Sequence, residues 1–112
     1  MKTEFITSFI KKLTDDTNNK SIGWSAKAVA GGVVRYKCST PDFDVVVCTT
    51  LSTAVPDVFL SNGDLLIQLF SCQDHTHYHN ELRMQVLQLL STIKLYINEQ
   101  RDWNAFIAEY LK

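Results

Sequence analysis

The stretch "VFLSNGDLLIQLFSC", residues 58–72, decides the fold. Asn62-Gly63 sits between two apolar runs, and Asn-Gly is the pair that most readily takes the positive φ angles of a tight hairpin turn. Residues 57–61 and 64–71 are therefore expected to be adjacent antiparallel strands. The same two-residue period continues upstream. "FDVVVCTTL", residues 43–51, is rich in β-branched side chains that suit a pleated, half-buried surface. Pro41-Asp42 breaks the chain before it, and Val34, Tyr36 and Cys38 alternate over 33–39. Gly31-Gly32 supplies a further turn, and Ile22, Trp24, Ala26 and Ala28 alternate over 22–30. The connections are too short for parallel crossovers, so the spacing predicts a four- to five-stranded antiparallel meander.

Both flanks change to a helical period. Phe5, Ile6, Phe9, Ile10 and Leu13 share one face over residues 3–14, with Thr3 as the N-cap and the polar run "TDDTNNK" as the stop. Leu82, Val86, Leu89, Leu90, Ile93, Tyr96 and Ile97 do so over 80–99, with Asn80 as the cap. Trp103, Phe106, Ile107 and Tyr110 define a last helix over 103–111, capped by Asp102. The fold class is α+β, in one domain spanning 1–112. It has an N-terminal helix, the sheet, and two C-terminal helices packed on one face. Phe9, Leu13, Val45, Val47, Leu66, Leu89 and Ile93 are expected in the core.

Two of these segments carry a resemblance. "FIKKLTDDTNNKSIGW", residues 9–24, followed by alternating strands and then "VFLSNGDLLIQLF", is similar to a group of small bacterial and phage α+β domains with no assigned activity. These share an N-terminal helix, a turn ending near a Trp, and an NG-type hairpin. The resemblance implies a binding factor in bacterial or phage conflict, such as an inhibitor, immunity or adaptor protein; it carries over no catalytic residue.

Composition narrows the class of function. Of 112 residues, 46% are hydrophobic and 21% charged, which suits a packed core and not a disordered chain. Eleven basic residues against twelve acidic ones, with no run of Lys or Arg, argue against the phosphate backbone of nucleic acid as the main partner. No stretch approaches the roughly twenty apolar residues of a membrane span. The N-terminal segment lacks the uninterrupted apolar run of a secretory signal. Three cysteines, Cys38, Cys48 and Cys72, form neither an even disulfide set nor a CxxC pair, so a reducing, cytoplasmic setting is expected.

The densest chemistry is "CQDHTHYHNE", residues 72–81. On an extended backbone His75, His77 and His79 point to one side, and two of them, with Cys72 or Glu81 as a further ligand, could hold Zn²⁺ if the chain curved. An acid–base role, or a Cys72–His75 dyad, can also be written. The plainer reading is a polar loop between the last strand and the long helix, with no cofactor. The leading expectation is a non-enzymatic protein-binding factor. The alternatives are a small-ligand or nucleotide-sequestering protein and a metal-dependent hydrolase or nuclease built on the histidines. One further feature bears on partners. Met84, Leu87 and Leu95 form a second apolar strip on the helix from Asn80, which either the last helix folds back to hide or a protein partner, including a second copy in a homodimer, covers.

Overall fold

A computed structural model describes residues 2–50, 54–74, 79–101 and 103–112. Helix α1 (Thr3–Asn18) is followed by strands β1 (Ser25–Val29), β2 (Val33–Ser39), β3 (Asp44–Thr49), β4 (Asp57–Asn62) and β5 (Leu65–Phe70), then by helices α2 (Asn80–Gln100) and α3 (Trp103–Tyr110). The strands form one sheet in the order β1-β2-β3-β4-β5, every neighbouring pair antiparallel. This is the expected α+β meander, and its turns follow the expected chemistry. Gly31 and Gly32 take positive φ between β1 and β2, as does Gly63 between β4 and β5. Between β2 and β3, the Thr40 hydroxyl donates to the Phe43 carbonyl at 2.8 Å and closes the turn around Pro41.

One face of the sheet carries the core. Tyr36 and Cys38 on β2, Val45 and Val47 on β3, Val58 on β4 and Leu69 on β5 are buried there. Against them lie Ile10 and Leu13 of α1 and Leu82, Val86, Leu89, Leu90 and Ile93 of α2. The two helices run parallel, side by side. The Thr3 hydroxyl is 3.5 Å from His79 at the start of α2, and Lys20 after the end of α1 reaches Glu99 near the end of α2.

Several expectations need correcting. Leu66 is 64% exposed and lies on the other face, while Leu69 and Phe70 are buried. A bulge opposite Val58 and Phe59 puts one extra residue into β5, so two successive side chains reach the core there. Phe9 packs at the core's margin and is not buried within it. Helix α1 runs four residues beyond the expected stop, and its capping position is Lys2; Thr3 is its first helical residue. Likewise His79, and not Asn80, occupies the cap of α2, and neither cap makes a side-chain hydrogen bond. The expected cap Asp102 lies outside the described residues. The last helix does not fold back: α3 buries none of its residues, and Met84 and Leu95 stay exposed. Arg101 is extended, with φ -70° and ψ 136°, and this breaks the line of α2 before α3 begins.

Candidate functional site

The histidine-rich loop is described only in part. His75 and His77 lie outside the described residues. His79 is committed to protein partners: its Nδ1 pairs with the Asp74 carboxylate, which leaves Nε2 facing the Thr3 hydroxyl. An ionised Asp74 only accepts, so Nδ1 carries the proton of that pair. The order Asp74, His79, Thr3 is that of an acid–base relay. At 3.5 Å, however, the last link is at the outer limit of a hydrogen bond, and it ties the first turn of α1 to the start of α2.

Cys72 belongs to a different group. Its backbone N–H donates to Asp57 Oδ1 at 2.8 Å, and Gln68 Nε2 donates to the same oxygen at 3.4 Å. Asp57 thus fastens the chain as it leaves β5. Burial, together with the neighbouring Asp57 carboxylate, pushes the Cys72 thiol above its ordinary pKa, opposite to what a nucleophilic thiolate needs. Among the described residues no group of three His, Cys, Asp or Glu side chains is placed to hold a metal ion.

A surface that the sequence reading did not single out lies on the outer face of the sheet. No helix covers it. Directly paired residues share a face, so the register Lys27↔Arg35↔Cys48 and Lys37↔Val46↔Phe59 places all six there. Ser61 and Leu66 extend the same face. Arg35, Val46, Cys48, Phe59, Ser61 and Leu66 line a shallow hollow of about 370 Å³. Its floor is apolar and its β1–β2 side is cationic. Lys37 is 3.6 Å from Asp44, but Lys27 and Arg35 make no ion pair with a described residue although they stand directly opposite each other. Like charges in that position destabilise a sheet by up to about 1 kcal/mol. The signal available in the sequence was the second alternating set, Arg35 and Lys37 with Val46, Cys48 and Phe59, which reads as ordinary solvent-facing residues until the register aligns it.

The apolar strip expected on α2 is open in part. Met84 is 68% and Leu95 56% exposed, whereas Leu87 is half-buried. Among the described residues no helix is long and apolar enough to cross a membrane. No protein-family model, curated protein or solved structure matches the chain.

Proposed function

We propose that this chain is a non-enzymatic, cytoplasmic binding protein that takes an acidic, apolar-anchored segment of another protein on the outer face of its sheet. The observation that carries this reading is the Lys27–Arg35 cross-strand pair at the edge of an apolar floor. A carboxylate placed between the two cations relieves their repulsion, and an apolar side chain beside it covers Phe59 and Leu66. Interfaces of this kind combine an apolar centre with charged residues that set register and steer association. The three free thiols fit a reducing compartment. An inhibitor or adaptor role follows from occupying the partner's acidic segment.

Affinity capture from the native host tests it, with the wild-type chain compared against Arg35→Glu and Phe59→Ser. The reading expects a stoichiometric protein partner that both variants lose and that elutes as salt rises. A captured set identical for all three proteins would sink it.

A further inference from the structure

The last helix is an amphipathic element without a cover. Trp103, Phe106, Ile107, Tyr110 and Leu111 fall at i, i+3, i+4, i+7 and i+8, one continuous apolar stripe. All five are exposed, from 43% at Trp103 to 84% at Tyr110. The radius of gyration is 15.2 Å, against about 13 Å for a compact chain of this length, and the longest extent is 52 Å. The helix therefore stands out from the body as an arm.

The body carries an apolar hollow that no described residue fills. Phe5, Ile6 and Phe9 of α1 and Phe43, Leu60 and Leu69 beside them line about 260 Å³, with no charged side chain in the lining. Phe5 is 66% exposed at its mouth, and Phe9 meets Phe43 edge to face at 5.9 Å. The volume suits one large aromatic side chain.

The arm cannot fill the hollow of its own chain. The first turns of α1 lie beside the start of α2, where Thr3 meets His79. From there the 21 residues of α2 run about 31 Å before the arm begins. The eight residues of α3 extend only about 12 Å, so they cannot return over that distance. Hollow and arm sit at opposite ends of one long helix. Two copies laid side by side in opposite directions bring each arm to the other's hollow, and a twofold axis closes the pair with both apolar surfaces used.

We propose that the chain forms this twofold dimer, with one aromatic side chain of each copy's α3 stripe seated in the Phe5–Phe43–Leu69 hollow of the other and the rest of the stripe laid over the exposed Phe5 at its mouth. The area is sufficient. The five stripe side chains offer on the order of 600 Å² of apolar surface. Two arms fully covered then remove on the order of 1,200 Å² of apolar surface from water, the lower bound of a stable interface. The sheet's outer face stays free, so the dimer and the partner site proposed above stand or fall separately.

Light scattering on the full chain reads the outcome directly. The wild type should run at twice the monomer mass, and Phe106→Glu and Phe5→Glu should each run as monomers. Both positions are more than half exposed, so the variants should keep the wild-type circular dichroism spectrum; if one does not, Tyr110→Glu serves as a second arm variant and Phe5→Ser as a second hollow variant. Mixing the two monomeric variants is decisive. The Phe5→Glu copy still has a good arm and the Phe106→Glu copy a good hollow, so the mixture should recover a heterodimer with one intact contact. A monomeric wild type overturns the proposal, as does a dimer insensitive to Phe5→Glu. A mass that keeps growing with concentration would mean open head-to-tail chains, and a mixture that stays monomeric would mean that the arm of one copy does not enter the hollow of the other; either rejects the exchange.

Discussion

Lys20 is the clearest case of a single residue held against its preference. Its φ is +60°, the left-handed region that side chains with a Cβ avoid. The position follows the C-cap Asn19 of α1, where Lys20 N–H donates to Thr17 and Ser21 N–H donates to Asp16. That pair of bonds is the Schellman stop, which glycine usually makes. The ion pair with Glu99 spans 3.8 Å between half-exposed groups and adds little. Lys20→Gly should therefore raise stability by about 0.5–1 kcal/mol, read as a higher urea midpoint at unchanged slope. A lowered midpoint would mean that the ion pair outweighs the backbone strain. The sequence hid this stop because it contains no glycine there. It also hid the last turn of α1, whose Thr14 and Thr17 look like turn formers. Both are buried, and their hydroxyls donate back to the carbonyls of Ile10 and Leu13. Thr17 Oγ1 also accepts the Trp24 indole N–H at 2.9 Å, so an apparently polar end of the helix holds a buried Trp.

At the scale of the element, β5 shows where reading by period fails. "LLIQLF" offers apolar residues at both odd and even positions, so alternation alone cannot choose a face. The bulge opposite Val58/Phe59 makes the choice, placing Leu69 and Phe70 inside and Leu66 outside. Leu69→Ala should cost about 2–5 kcal/mol by opening a cavity, whereas Leu66→Ser should stay within about 0.5 kcal/mol of wild type. Chemical denaturation of the two variants checks this; equal losses would mean that the register slips. The other strands were legible because turn residues mark their ends. The candidate site was less so. The histidine cluster drew attention by composition, but His79 turns out to hold Asp74 and Thr3. The outer-face cations emerge only once β1, β2 and β3 are set in register.

For the whole molecule, the buried ionisable groups set how stability responds to alkali. Burial pushes Tyr36 above its ordinary pKa, and burial with the nearby Asp44 carboxylate does the same to Cys38. Cys72 moves in the same direction. In each case the folded state holds its proton more tightly than the unfolded chain. The stabilisation is complete below the unfolded pKa and is lost as pH rises through the folded one. The urea midpoint should hold steady near neutrality and fall from about pH 8.5 upward, where an unfolded thiol begins to ionise. Replacing Cys38 with Ala should make the early part of that fall shallower. A midpoint unchanged up to pH 10 would contradict the inward placement of these groups.

The parallel pairing of α1 with α2 has a consequence for how the chain is made. Thr3 and His79 are 76 positions apart, and the whole sheet is synthesised between them. Until α2 emerges, the sheet's inner face has only α1 to shield Val45, Val47 and Val58 from other nascent chains. The free edge at β1 is exposed over the same interval, guarded chiefly by Lys27. Synthesis thus leaves a window, closed only once α2 emerges, in which holding chaperones would decide the yield of folded protein.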